Sequence, residues 1–171
     1  MMQIDVSTIK QSPGMTLHRE LEAPLPALEG AGEIISFVGP ARAVLDLTNS
    51  GGLLELTGGI QAALQLSCAR CLENFVYPVD VPLRELYYPA GAVEPPPEQR
   101  EEGIPFRGDK LDITPEVLKS ILLALPMKAV CRPDCRGLCP VCGQNLNRGR
   151  CNCRQEEVDP RLAVLKDLFK H

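Results

Sequence analysis

Cysteine spacing constrains this chain more tightly than any other feature. Cys68-x2-Cys71 lies between two extended runs, and Cys131-x3-Cys135-x3-Cys139-x2-Cys142-x8-Cys151-x-Cys153 fills one compact C-terminal loop. An even set of thiols reads as disulfides in a secreted chain. Here, however, Met1 to Lys10 has neither the basic nor the apolar region of a signal peptide. The longest apolar stretch, Ile121 to Val130, is broken by Pro126 and Lys128 and falls short of the ~20 residues a bilayer span needs. The expectation is a cytoplasmic chain with no membrane partner and reduced thiols, for which metal is the better reading.

Zn2+ takes four soft donors in a tetrahedron, and a Cys-x2-Cys turn supplies two. Cys139-Pro140-Val141-Cys142-Gly143 suits such a turn, since Pro stiffens it and Gly permits the positive φ that closes it. Filling sites with nearest pairs gives a first set of Cys139, Cys142, Cys151 and Cys153. The second set, Cys131 and Cys135 with Cys68 and Cys71, would staple the tail to the strands. A rival places Cys131, Cys135, Cys139 and Cys142 on one ion. Other readings are buried free thiols at Cys68 and Cys71 and a redox pair, the latter disfavoured by the extended sequence after Cys71. Cys135-x3-Cys139-x2-Cys142 also resembles the iron–sulfur motif of radical S-adenosylmethionine enzymes, which leaves an iron–sulfur enzyme as a remote alternative. That family carries the motif near the start of a long α/β barrel, unlike its place here.

The remaining sequence reads as α+β: an antiparallel strand meander or partly closed barrel with a few helices and a zinc-stapled C-terminal loop. Residues 1–88 are expected to form the mainly antiparallel β body. Within it Ala41, Ala43, Leu45 and Leu47 alternate before the Asn49–Gly52 turn; Leu54 and Leu56 alternate before a second turn at Gly58-Gly59; Ala62, Leu64 and Leu66 follow. Pro78 and Pro82 put the run after Cys71 near a sheet edge. Residues 89–108, with Pro95-Pro96-Pro97 and Glu98, Glu101 and Glu102, read as an extended linker. Residues 109–171 are expected to complete the same domain with a helix, the cysteine loop and a C-terminal helix. The first helix runs from about Pro115 to Leu125, capped by Thr114, with Val117, Leu118, Ile121, Leu122 and Leu125 on its buried face. The second follows Asp159-Pro160 with Leu162, Leu165, Leu168 and Phe169 on one side.

Charge narrows the function classes. The formal net charge is −4, and aromatics are 4% of the chain with no Trp, which argues against a base-stacking surface. Yet Lys128, Arg132, Arg136, Arg148, Arg150 and Arg154 face only Asp134 between Met127 and Arg154, and these six are the candidate RNA contacts. No P-loop, dinucleotide fingerprint or nucleophile elbow is present, and His18 and His171 have no evident partner. Neither an enzyme nor a small-molecule substrate is expected.

Two further segments carry a family resemblance. Cys68-Ala69-Arg70-Cys71-Leu72-Glu73 resembles the Cys-x-Arg-Cys-Leu element of the YceD-like proteins, the large ribosomal RNA subunit accumulation proteins. Cys135 to Asn147, then Cys151-Asn152-Cys153 and Asp159-Pro160-Arg161-Leu162-Ala163, resembles the cysteine-rich form of that family; the helix ending Leu123-Ala124-Leu125-Pro126 matches in place. The resemblance runs from about Ala41 to Leu168. It implies a bacterial-type role in ribosome biogenesis through large-subunit rRNA accumulation, with rRNA or a pre-ribosome as partner, and frequent association with the gene for a small zinc-bearing ribosomal protein. It supplies no catalytic residue. The alternative is a zinc-stapled protein–protein adaptor for a ribosomal protein.

Overall fold

The computed structural model describes residues 1–30, 33–91 and 103–153. The C-terminal helix expected after Pro160, together with His171 and Arg154, lies outside the described residues. So does most of the linker.

The strands are β1 (Gln3–Asp5), β2 (Thr16–Ala23), β3 (Leu28–Gly30), β4 (Glu33–Phe37), β5 (Ala41–Asn49), β6 (Leu54–Ser67), β7 (Asn74–Pro89), β8 (Gly103–Phe106) and β9 (Lys110–Asp112). Among the described residues one helix, α1, spans Thr114–Ala124, and a 3-10 turn spans Ile9–Gln11. The main sheet has seven strands and is open rather than a closing barrel: the path runs β2-β5-β6-β4-β3, with β7 on the other side of β6 and β8 beyond it. All its pairings are antiparallel except β7 with β8. A separate two-stranded sheet joins β1 to β9.

The hairpin β5–β6 forms where the sequence signals it. Ser50 N–H donates to the Leu53 carbonyl at 2.8 Å, and Gly52 N–H to Asn49 Oδ1 at 3.0 Å. Asn49 is buried, and its Nδ2 donates to the Ile9 carbonyl at 2.7 Å, so the turn also fixes the N-terminal segment. Ala41, Ala43, Leu45 and Leu47 all face the core, as period-two alternation requires.

Gly58-Gly59 is not a turn. Both glycines sit inside β6, which runs on to Ser67 and pairs with β7 along its whole length. The reason is close backbone approach: a Cβ on Gly58 would lie 2.1 Å from the Val44 carbonyl oxygen of β5. Beyond that point β6 exchanges partners along the same edge, from β5 (to Gln61) to β4 (at Leu64 and Gln65). Among the described strands, β7 has only β6 beside it at Pro78 and Pro82, because its pairing with β8 begins at Leu86. The edge position tolerates their missing N–H.

The expected linker is shorter than the composition suggests. Gly103–Phe106 pairs parallel to the end of β7 and buries Phe106, so apolar alternation at Ile104 and Phe106 overrides the linker character upstream. The first residues also contribute more than their pattern announces: Met2, Ile4, Val6 and Ile9 are core.

α1 packs Val117 and Ile121 into that core, with Leu118 and Leu125 half-buried, while Leu122 is exposed. Thr114 does not cap the helix but begins it. Its hydroxyl donates to Asp112 Oδ1 at 2.6 Å and accepts from Met2 N–H at 2.8 Å, tying helix, β9 and N-terminus together.

Candidate metal centre

The connection between β6 and β7 is a tight knuckle. Cys68 N–H donates to the Glu73 carbonyl at 2.9 Å and Leu72 N–H to the Cys68 carbonyl at 2.9 Å, with Leu72 in the left-handed region at φ 60°. The chain beyond α1 is laid against it: Ala69 N–H donates to the Ala129 carbonyl at 2.8 Å, and Arg70 Nη1 donates to the carbonyls of Pro133 at 2.9 Å and Cys135 at 3.0 Å. Cys131 and Cys135 thereby meet Cys68 and Cys71. The four sulfurs lie within 4.8 Å of one another, with Cys68–Cys135 and Cys71–Cys131 each at 3.8 Å. A tetrahedron with metal–sulfur bonds of ~2.3 Å has edges of about 3.8 Å, so these sulfurs are spaced to fit one ion.

The second tetrad follows in the chain. Gly143 N–H donates to the Cys139 carbonyl at 2.9 Å and Cys139 N–H to the Gln144 carbonyl at 2.8 Å, which folds the Cys139–Cys142 turn. Cys151 and Cys153 return to it, and all four sulfurs again lie within 4.8 Å. The structure thus groups Cys139, Cys142, Cys151 and Cys153 apart from Cys68, Cys71, Cys131 and Cys135, and divides the rival set between them. Cys68 and Cys71 are buried, but against Cys135 in a cluster separate from the main core.

Two residues outside the candidate ligands hold the arrangement together. Asn147 donates from Nδ2 to Cys135 Sγ at 3.3 Å, while its Oδ1 accepts from Arg136 N–H at 2.9 Å and Arg132 Nη2 at 2.8 Å. One amide therefore links the loop of the second tetrad to a sulfur of the first. Arg70 is the other, and Gly137 lets the chain pass it: a Cβ there would lie 2.9 Å from the Arg70 carbonyl oxygen, at a φ of +73°. Neither residue carries a ligand signature, and only their place in the cysteine-rich segments pointed to them.

The electrostatics are those of closely clustered sulfurs. Burial opposes ionisation of Cys68, but the N–H groups of Cys131, Cys71 and Arg70 outweigh it and hold the thiol down to about 6. The N–H groups of Cys142 and Val141 hold Cys139 down to about 6 as well. Within the same tetrads, burial and then the surrounding sulfurs push Cys131 up to about 12. The Cys142 sulfur, then burial, pushes Cys153 up to about 12. Neighbouring thiols cannot all ionise alone, and a bound dication removes that conflict.

Of the cationic candidates, Lys128, Arg132, Arg136, Arg148 and Arg150 are all exposed. Arg148 pairs with Glu73, and Arg132 with Asn147 and, at 3.6 Å, Asp134. Arg136 and Arg150 share the lining of an opening of about 260 Å³ beside Cys139, Cys151 and Cys153. His18 bonds Asp46 across β2 and β5 at 2.7 Å.

Comparison with known proteins places this arrangement in context. A family model described as "Large ribosomal RNA subunit accumulation protein YceD" matches residues 56–169. An uncharacterized protein of Mycobacterium tuberculosis is 34% identical over 172 residues, covering 98% of this chain and 81% of that relative. The "Large ribosomal RNA subunit accumulation protein YCED homolog 1, chloroplastic" of Zea mays is 27% identical over 159 residues, covering 77% of this chain and 54% of that protein. YlbN, an uncharacterized protein of Bacillus subtilis, is 31% identical over 114 residues, covering 65% of this chain and 63% of that protein. No solved structure matches.

Proposed function

This chain belongs to the YceD family of large ribosomal RNA subunit accumulation proteins, and from that membership we propose that it is a non-enzymatic factor supporting accumulation of large-subunit rRNA, binding rRNA or a pre-ribosomal particle directly. Each cysteine tetrad holds one structural Zn2+. Four thiolates close the coordination sphere and leave no position for a substrate, which is the donor set of a structural rather than a catalytic site. Bound zinc supplies folding free energy to a tail with too little apolar surface to fold alone.

The observation that carries the RNA reading is the placement of Arg136 and Arg150. Among the described residues neither has an acidic partner, both are exposed, and they flank one opening on the loop that the second tetrad would shape. Arginines so placed suit phosphate, whose geometry they match with paired donors.

The test is affinity for large-subunit rRNA fragments across a salt series, for the zinc-loaded chain and for Arg136→Ala/Arg150→Ala. Neutralising two phosphates gives a log–log salt slope of roughly −1.5, and the double variant should lose most of it. Binding that is insensitive to salt, or capture of a ribosomal protein in place of RNA, would favour the adaptor.

A further inference from the structure

An apolar groove of about 400 Å³ opens between the Cys68–Leu72 knuckle and the end of α1. Ile35, Leu66, Leu72, Leu122, Leu125 and Met127 line it, and Lys128 is its cationic wall residue. Met127 is fully exposed, Leu72 is 68% exposed, and Leu123 at the same end of α1 is 76% exposed. Leucine and methionine side chains gathered and uncovered beside one another mark a face that something covers.

We propose that this groove is the docking site of the chain's own C-terminal segment, residues 160–169, whose Leu162, Leu165, Leu168 and Phe169 fill it. Three observations select this occupant. The segment carries its apolar residues at helical spacing after a helix-start signal, Asp159-Pro160, and so presents one stripe suited to one groove. It also starts close by: the chain leaves the second tetrad at Cys153, Asn147 bonds that tetrad's loop to Cys135, and Cys68, 3.8 Å from Cys135, lines the groove. Residues 154–159 span up to about 20 Å when extended. Finally, residues 154–159 lead into the stripe with Glu156, Glu157 and Asp159 against Arg154, a formal excess of negative charge opposite in sign to Lys128. Docking there would cover the knuckle of the first tetrad with the chain that leaves the second.

The experiment uses the full, zinc-loaded chain with the photo-crosslinking residue p-benzoylphenylalanine in place of Met127. Light and 15N-labelled protein are mixed before irradiation, and the adducts are mapped by mass spectrometry. An adduct to residues 160–169 within one chain is the expected result. An adduct between a light and a heavy chain would assign the groove to a second copy, and no adduct within residues 160–169 would equally overturn the proposal. Leu165→Asp/Leu168→Asp in the same background should lose the intrachain adduct and raise the fluorescence of an apolar-surface dye several-fold. Unchanged crosslinking in that variant would show that the stripe does not make the contact. RNA affinity is not read in either arm, so failure here leaves the rRNA reading standing.

Discussion

Replacing Cys68 and Cys71 by serine removes two of the four sulfurs that meet at the β6–β7 knuckle and leaves Cys131 and Cys135 as an isolated pair. The tail is otherwise held at that point by few contacts: the bond from Ala69 to Ala129, the paired bonds from Arg70 to Pro133 and Cys135, the exposed Arg148–Glu73 ion pair, and the packing of Val130 and Leu138 beside the sulfurs. At about 1 kcal/mol net per hydrogen bond these sum to a few kcal/mol, against on the order of 10 kcal/mol for a structural zinc site. Losing the first ion should therefore detach the chain between Lys128 and Gly137. The sheet should survive, because its buried cluster contains none of the cysteines. Zinc content, measured by metal analysis with a colorimetric chelator as check, should fall from two ions to one per chain. Trypsin should then cut at Lys128 and Arg136 while β5, β6 and β7 stay protected. Two ions retained in the double variant, or unchanged protection of the tail, would refute the assignment and leave Cys68 and Cys71 as packing residues at a turn.

Other perturbations test the fold and the links around the site. Gly58→Ala forces a Cβ to 2.1 Å from the Val44 carbonyl oxygen and should cost about 3 kcal/mol, lowering the melting temperature by roughly 5–10 °C. Gly59→Ala, where the nearest atom is at 4.0 Å, is the control and should shift it little. Asn147→Ala removes the amide joining the two loops and should weaken zinc retention roughly 10–100-fold under competition with a chelator, with the sheet's melting unchanged. Glu116 tests pH dependence: burial first, and then the nearby Glu85 and Asp112 carboxylates, push its carboxyl up against the pull of its own N–H. A raised folded-state pKa means that stability is fullest below the unfolded value and declines as pH rises through the folded one. Glu116→Gln should accordingly raise the melting temperature at neutral pH, and that advantage should vanish below about pH 4; an advantage that grows in acid would reverse the assigned sign.

What could be read from the sequence divides along a physical line. Local rules held where one residue type has one reason to be present. Alternation in β5, the Asn49–Gly52 turn, the edge prolines of β7 and the helix after Pro115 all follow from short-range sterics and pattern. Gly58-Gly59 misled because glycine serves two purposes, turning a chain and letting another backbone approach; only the neighbour, Val44, distinguishes them. The N-terminal strands were opaque because their partners are remote in sequence: β1 pairs with β9, and the Met2 N–H finds its acceptor on Thr114. Thiol grouping was legible as far as pairing nearest cysteines in sequence could take it, and the sulfurs of each of those two sets do lie within 4.8 Å of one another. Asn147 was not, since an amide at the hub of a loop has no spacing rule.

The same geometry limits how the tail can attract RNA. Four thiolates on one dication carry about −2 together, so two filled sites largely cancel the cationic excess that the sequence shows around them. Net charge therefore cannot carry an attraction for phosphate once metal is bound, and placement must. Three of the four sulfurs of the first tetrad are buried, but in the second only Cys139 is, with Cys151 and Cys153 half-buried and Cys142 exposed, so there the exposed arginines must act beside partly accessible sulfurs. Arg132 and Arg148 are already engaged by Asn147 and Glu73. Among the described residues that leaves the opening beside the second tetrad to Arg136 and Arg150, which line it together with Cys139, Cys151 and Cys153. Metal binding on this view does not oppose RNA binding; it fixes the loop on which two cations are held at one opening.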